Sequence, residues 1–169
     1  MKNILIIILF LFCFCASMAQ KNNEYCKVLL MPVQKEVKIF DKPNGKAIYS
    51  IINDTISENY YNLEISDCRT GWFKVKPSSI LDTTKIAGWL KCDNTGIYAR
   101  NYSKPLVLFE LPDINSSIAT EIKSYFNEML QVIECKNGWL FVIIKLKDKI
   151  YKGWLSPSDQ CPNQYSTCN

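Results

Sequence analysis

The chain alternates apolar and polar residues in short runs, and turn-forming residues separate one run from the next. A period of two, broken by Gly, Pro, Asn and Asp, is typical of half-buried β-strands joined by turns. The pattern predicts strands over residues 36–40, 46–52, 60–65, 72–76, 86–90, 105–111, 130–134, 139–145 and 151–155. Local propensity does not decide between a strand and helical turns for residues 116–123. We therefore expect an all-β chain.

A short unit of sequence occurs twice. Trp72 and Trp89 recur as Trp139 and Trp154, at offsets of 67 and 65 residues, and each tryptophan follows a glycine. The matching segments are Gly71-Trp72-Phe73-Lys74-Val75 with Gly138-Trp139-Leu140-Phe141-Val142, and Gly88-Trp89-Leu90 with Gly153-Trp154-Leu155. A copy of about 65 residues is within the size range of small domains that fold alone. The repeat predicts two small β-domains in tandem and favours a strand at 116–123.

The N-terminus has the features of a cleaved export signal. Lys2 precedes an almost unbroken apolar run over residues 4–15, and Ser17-Met18-Ala19 supplies the small residues of a cleavage site. The apolar run is shorter than the roughly 20 residues that span a bilayer. We expect residues 1–19 to be removed, and the protein to be periplasmic or at the cell surface without membrane insertion.

The signal and the repeat together predict the domain boundaries. We expect a segment at 20–36 that packs on the first domain, the first domain at 37–92, an interdomain join at 93–104, the second domain at 105–157 and a polar tail at 158–169. The formal net charge is +4, and the lysines are scattered among carboxylates. Such a surface argues against nucleic acid as a partner. The oligomeric state is left open.

Six cysteines follow residue 19, and an even number in an exported chain indicates disulfides, for which 15 pairings are possible. Cys26 and Cys92 take equivalent places in the two copies, as do Cys68 and Cys135. This symmetry predicts three bonds: Cys26 with Cys68, Cys92 with Cys135, and Cys161 with Cys168. A structural zinc site is the rival, but the chain has neither Cys-x-x-Cys nor histidine. We expect no metal and no cofactor.

The order of the motifs resembles bacterial SH3-like domains: strand, proline turn, strand, an alternating run, a turn ending in Gly-Trp, a Trp-x-x-Val strand, a variable loop and Gly-Trp-Leu. Residues 37–90 look like one copy and residues 105–155 like another. The resemblance implies two tandem SH3-like antiparallel β-barrels. The Met18-Ala19-Gln20 junction is similar to those of exported Bacteroidota proteins, and Asp54-Thr55-Ile56 and Asp82-Thr83-Thr84 resemble the O-glycosylation acceptors of that group.

Domains of this family generally bind rather than catalyse, and they are often associated with peptidoglycan or its peptides. The resemblance therefore implies a non-catalytic exported module that binds cell-wall peptide or glycan, or an envelope protein. The alternative is an immunity or inhibitor protein that binds a secreted toxin or a cell-wall hydrolase. This alternative is favoured because the sequence shows no catalytic domain that the two binding domains could direct to a target.

The composition argues against an enzyme. Histidine does not occur, which removes the usual general base of a Ser or Cys nucleophile. A pair of carboxylates could still hydrolyse a glycoside, but Glu64 with Asp67, or Glu110 with Asp113, has the context of an ordinary surface pair. We expect no catalytic residue.

The tryptophans are expected to be structural. Aromatic faces can bind sugars and peptides, but a tryptophan that follows a glycine at a hairpin end is usually packed against its neighbours. We therefore expect core packing rather than ligand contact for Trp72, Trp89, Trp139 and Trp154.

Several tyrosines lie at strand starts or in the join, where core packing explains them less easily. Tyr98 and Tyr102 flank Arg100 in the predicted join, and clefts between domains are favoured ligand sites. Together with Tyr60, these residues are our candidate ligand-binding set. The alternative is an ordered linker that packs on both domains.

Overall fold

The structure of the protein, a computed structural model, describes residues 25–32, 35–52, 60–81, 85–125 and 127–163. The predicted signal peptide, both predicted O-glycosylation sites and Cys168 lie outside these residues. In the described ranges all strand pairs are antiparallel and no α-helix occurs, which confirms the all-β prediction.

Thirteen strands occur in the described residues. They are β1 (Cys26–Leu30), β2 (Glu36–Phe40), β3 (Ala47–Ile52), β4 (Asn62–Arg69), β5 (Trp72–Ser78), β6 (Gly88–Lys91), β7 (Thr95–Ala99), β8 (Leu106–Phe109), β9 (Ile118–Ile122), β10 (Leu130–Lys136), β11 (Trp139–Leu146), β12 (Lys149–Leu155) and β13 (Gln160–Cys161). Single 3-10 turns at Cys92–Asn94 and Pro157–Asp159 come directly before β7 and β13.

The strands form one continuous path, in the order β3-β2-β6-β5-β4-β1-β7-β10-β11-β12-β8-β9, with β13 also paired to β7. Read inward from one end, the order is β3-β2-β6-β5-β4-β1, and read inward from the other end it is β9-β8-β12-β11-β10-β7. Strands β7 to β12 therefore repeat the arrangement of β1 to β6. We call these two halves the first and second units. They share one sheet path rather than forming two separate sheets, and their closure into two SH3-like barrels stays a prediction.

The repeat extends to fine details of strand pairing. The β4–β5 register shifts between Ile65 and Asp67, and the β10–β11 register shifts at the matching place, between Val132 and Glu134. Such a shift marks a β-bulge, which bends the strand and increases its twist. The two hairpins therefore bend at equivalent positions.

The glycines of the Gly-Trp pairs have two different tasks. Gly71 and Gly138 lie in the tight hairpin turns before β5 and β11 and have positive φ angles of 75° and 81°. L-residues with a side chain rarely adopt this conformation, whereas glycine does so without steric cost. Gly88 and Gly153 instead lie in strands, where a Cβ atom would meet neighbouring atoms at 2.4 Å and 2.8 Å respectively. Glycine is therefore required at 71 and 138 by the turn, and at 88 and 153 by close strand packing.

Strand β7, the first strand of the second unit, pairs with a strand of each unit. On one side Gly96 pairs with Leu29 of β1, and on the other it pairs with Gln131 of β10. The hydroxyl of Thr95, which is fully buried, donates to the Val132 carbonyl oxygen at 3.0 Å. Residues 95–99 of the predicted join are thus the central strand of the path.

Most predicted strands are present, and the open choice at 116–123 is settled by β9, a strand at Ile118–Ile122. Three strands were not predicted: β1, β7 and β13. These three occupy the same place in successive units, because β1 pairs with β7 and β7 pairs with β13. The beginning of the predicted polar tail therefore pairs with the sheet.

A single cluster of buried apolar side chains runs through both units. Its members come from alternate strand positions and include Val28, Leu63, Phe73, Ile97 and Leu130, none more than 1% exposed. Because Ile97 lies on the shared strand, the core is continuous between the two halves.

The tryptophans pack outside this cluster. Trp72, Trp89 and Trp154 are buried, and Trp139 is half-buried. Successive strand residues point to opposite faces, so Trp72 lies on the face opposite Phe73 of the central core. Edge-to-face contacts with Phe40 (5.4 Å between ring centroids) and Phe109 (5.5 Å) hold Trp72 and Trp139. Trp72, Trp89 and Trp154 are therefore buried hydrophobic residues, as predicted, although they pack outside the central cluster, and Trp139 is only half-buried.

The disulfide pairing differs from the prediction. Cys26 of β1 is bonded to Cys135 of β10, with Cα atoms 6.4 Å apart, and Cys68 and Cys92 are free. The predicted bonds of Cys26 with Cys68 and of Cys92 with Cys135 are therefore wrong. Cys161 is disulfide-bonded, but its predicted partner lies outside the described residues.

The symmetry argument failed because β1 and β7, the first strands of the two units, do not correspond at the spacing that relates Cys26 to Cys92. Val28 of β1 pairs with Leu63, while Ile97 of β7 pairs with the matching residue Leu130. Cys26 therefore corresponds to Thr95 and not to Cys92, which lies in the preceding 3-10 turn.

Candidate ligand-binding site

The C-terminal end of β7 brings Tyr98 close to Tyr60. Tyr98 is half-buried and pairs with Cys161 of β13. Burial raises the pKa of the Tyr98 hydroxyl, and the nearby Tyr60 raises it further. The two rings, predicted to belong to one site, are therefore neighbours although Tyr60 lies just before β4.

Arg100 is held by the C-terminal part of the second unit. Its backbone N–H donates to the Asp159 carbonyl oxygen at 2.9 Å, and its side-chain Nε donates to the Gln160 carbonyl oxygen at 3.1 Å. The Gln160 amide in turn donates to the Gly138 carbonyl oxygen at 2.7 Å. These bonds fix the positive charge of Arg100 at the edge formed by β13.

Tyr102 lies beyond β7 and contacts Tyr125. The two rings meet edge to face with centroids 5.5 Å apart, and the residues remain 66% and 51% exposed. We call Tyr60, Tyr98, Arg100, Tyr102 and Tyr125 the tyrosine surface. The sequence does not indicate the contact of Tyr102 with Tyr125, because that contact joins segments far apart in the chain.

A buried carboxylate anchors the segment after β7. Asp159, whose side chain is 12% exposed, accepts a hydrogen bond from the Ser156 hydroxyl at 2.9 Å and pairs with the Lys104 ammonium. Residues 100–104 are thus tied to the end of the second unit. The predicted join packs as an ordered segment and carries Tyr98, Arg100 and Tyr102 of the tyrosine surface.

A pocket lies near the opposite end of β7. This pocket of about 700 Å³ opens between the β4–β5 turn, the 3-10 turn before β7 and β10, and it is lined by Cys68, Arg69, Thr70, Gly71, Cys92, Ile133 and Glu134. We call it the junction pocket. Sequence reasoning missed it because three distant segments build it; the recurring cysteine before each Gly-Trp turn was its one visible signal.

The electrostatics of the junction pocket keep its two thiols protonated. Burial raises the pKa of the Cys68 thiol to about 11, despite a backbone hydrogen bond from Cys135 that lowers it. The carboxylates of Asp67 and Glu134 and the Cys92 thiol raise it further. Burial, followed by the charge of Asp93, also raises the pKa of Cys92.

The described residues contain no group of three or more His, Cys, Asp or Glu side chains that could hold a metal ion. Within the same residues, no helix is long and apolar enough to cross a membrane.

No family model matches the chain, and no curated protein does. Among solved structures, NlpC1 from Trichomonas vaginalis is similar at 15% identity and a TM-score of 0.33, over 87% of this chain and 48% of that one. NlpC2 from the same organism is similar at 15% identity and a TM-score of 0.32, over 83% of this chain and 49% of that one. The chain spans about half the length of each.

Proposed function

We propose that this protein is a non-catalytic, exported binding module whose ligand is a cell-wall peptide or glycan, and that the tyrosine surface is its binding site. One observation carries the choice of site: on the segment that follows the shared strand, the fixed cation of Arg100 lies two residues from the exposed Tyr102, whose ring contacts the exposed Tyr125. The resemblance of both units to bacterial SH3-like domains supports the class of ligand.

The chemistry of the surface suits such a ligand. Exposed aromatic faces bury the apolar face of a sugar ring or a peptide side chain, and a tyrosine hydroxyl adds a polar contact. Arg100 supplies a positive charge that can pair with the carboxylates of wall peptides. Its Nε bond to Gln160 fixes the guanidinium, so little conformational entropy is lost on binding.

The test is retention of the chain from residue 20 onward on purified peptidoglycan sacculi. The variant replaces Tyr102 and Tyr125 by alanine, because both rings are exposed and their removal leaves the core intact. Two rings that each contribute about 1–2 kcal/mol predict binding at least tenfold weaker. Ile150→Ala is the matched control, since Ile150 is 61% exposed at the start of β12 and should leave binding unchanged.

Full retention of the tyrosine variant would refute the site, and absence of binding by the unaltered protein would refute the ligand class. In the second case a protein partner becomes the better explanation, as expected for an immunity or inhibitor protein.

One observation favours that second candidate. The outermost strands of the path, β3 and β9, each pair with one neighbour among the described strands. They also expose large apolar side chains, since Ile48, Ile52 and Ile118 are 46%, 60% and 57% exposed. Exposed edge strands are common docking sites for another protein by strand addition.

A pull-down from envelope extract distinguishes the two candidates. A stoichiometric protein captured by the unaltered chain, kept by the tyrosine variant and lost with Ile48→Lys and Ile52→Lys, would establish the edge-strand interface. Loss of the same protein with the tyrosine variant alone would assign it to the tyrosine surface.

A further inference from the structure

Cys68 and Cys92 face the same side of the first unit. Cys68 pairs across β4–β5 with Phe73, which pairs across β5–β6 with Leu90, so these three side chains point to the core-facing side. Cys92 begins the 3-10 turn that follows β6, and its side chain also packs against the core cluster. Both cysteines are half-buried, pack against the core cluster and line the junction pocket.

The backbone holds Cys92 against the turn that follows Cys68. The Cys92 N–H donates to the Gly71 carbonyl oxygen at 3.1 Å, and its carbonyl oxygen accepts from the Thr95 hydroxyl at 2.8 Å. The thiols also interact electrostatically. A disulfide needs Cα atoms within about 7 Å of each other and Cβ atoms that face each other. The common pocket and the backbone hydrogen bond from Cys92 to the turn after Cys68 bring the two residues toward that geometry.

We propose that Cys68 and Cys92 form a dithiol that closes to a second disulfide beside the Cys26–Cys135 bond when a disulfide donor reaches the junction pocket. One thiolate attacks the donor and forms a mixed disulfide, which releases the first donor thiol. The second cysteine then displaces the other donor thiol and forms the new bond. Two electrons pass to the donor, and the two protons leave the protein thiols for the two donor thiols.

The closure would tie the 3-10 turn before β7 to the β4–β5 hairpin. Cys26–Cys135 already links β1 to β10 on either side of β7. With both bonds in place, the strand shared by the two units is bracketed by covalent links, and the junction pocket loses its two thiols. The raised pKa values make this a slow reaction at neutral pH, because the thiolate is the reactive form.

A competing reaction starts from the same cysteines. The Cys68 thiol accepts a hydrogen bond from the Cys135 backbone and is therefore close to the existing disulfide. Attack of a Cys68 thiolate on Cys135 would form Cys68–Cys135 and release Cys26 as a thiol. The two reactions give different peptide links, so they are separable.

The test treats the folded chain from residue 20 onward with oxidised glutathione, blocks remaining thiols with an alkylating agent, and maps the peptides by mass spectrometry. Trypsin places Cys26, Cys68, Cys92 and Cys135 in four separate peptides: 22–27, 47–69, 92–100 and 124–136. We expect 47–69 linked to 92–100, with 22–27 still linked to 124–136. Alkylation of both Cys68 and Cys92 after prolonged oxidation, or a link from 47–69 to 22–27 or 124–136, would overturn the proposal.

Single substitutions provide the control. In Cys68→Ser and Cys92→Ser the remaining cysteine has no partner for closure, so each variant should retain one glutathione while the unaltered chain retains none. Retention of the 22–27 to 124–136 link and an unchanged circular dichroism spectrum would show that the variants fold. Equal glutathione retention by the unaltered chain and the variants would contradict closure.

Discussion

Replacing both Cys26 and Cys135 by alanine removes the covalent link between β1 and β10. The two residues are 109 positions apart, so in the unfolded chain the bond closes a long loop. The chain-entropy relation assigns about 4.8 kcal/mol to a loop of that length, and measured native disulfides contribute about 2–4 kcal/mol. Removing two sulfur atoms, one of them on the fully buried Cys26, adds a small loss of packing. We expect the free energy of unfolding to fall by about 3–5 kcal/mol.

The measurement is denaturant unfolding followed by tryptophan fluorescence. The four tryptophans report on both units, because Trp72 and Trp89 lie in the first and Trp139 and Trp154 in the second. A lower midpoint at an unchanged slope would show a true loss of stability rather than a change in the unfolded ensemble. A reductant is avoided, since it would also break the bond of Cys161.

The matched control replaces the free pair, Cys68 and Cys92, by alanine before any oxidation. Both are half-buried thiols, so this variant loses similar packing without losing a bond in the described structure. We expect a decrease of about 1 kcal/mol. A difference between the two double variants of less than about 1 kcal/mol would refute the reasoning, because the long loop would then have no measurable entropic effect.

Three further outcomes follow from the structure. Gly88→Ala should destabilise the protein more than Gly71→Ala in thermal unfolding, because a Cβ atom at 88 would lie 2.4 Å from Ile39 and 2.8 Å from the Phe40 carbonyl oxygen. A Cβ atom at 71 would meet nothing within 4 Å and would cost only about 1–2 kcal/mol of backbone strain. Equal losses of stability would contradict the close-packing role of Gly88. Asp159→Ala should lower the free energy of unfolding by about 1–3 kcal/mol, since it leaves the buried Ser156 hydroxyl without this acceptor. Lys104→Ala should lower it less, because the Lys104 side chain is half exposed. The reverse ranking in urea titrations would refute this account. The fold favours the protonated Cys68 thiol, because burial raises the pKa of this thiol from 9.0 to about 11. Its contribution to stability is therefore complete below pH 9 and is lost as the pH rises through 11. A Cys68→Ser variant with the same decline in stability over that range would assign the effect to other groups.

Sequence reasoning succeeded where one face of a strand is buried and the other exposed. In β2 the residues Val37 and Ile39 are buried, Glu36 and Lys38 are exposed and Phe40 is half-buried, which is the alternation the sequence displays. It failed for β7, where Thr95, Gly96 and Ile97 are all buried and the side chains of Met129 and Met31 cover the face of Gly96. A Thr-Gly pair without alternation has the appearance of a turn, so the central strand was read as a join.

The site divides in the same way. The sequence could select Tyr98, Arg100 and Tyr102, because they occur together in one segment with no obvious core pattern. It could not find the Tyr102–Tyr125 contact or the junction pocket, which depend on how distant segments meet. The cysteine pairing failed for a related reason, since a three-residue offset in the leading strand cannot be seen in an alignment of tryptophans.

The shared strand also limits how such a protein can be rebuilt by recombination. Strand β7 completes the first unit and begins the second, so there is no linker at which one unit could be exchanged for a foreign one. After a recombination event inside residues 95–99, the hybrid strand would have to pair with β1 of one parent protein and with β10 of the other. Exchange is compatible with the fold only in whole steps, from β1 to β7 or from β7 to β13. The heritable module is therefore the interval between shared strands, and it does not coincide with a domain.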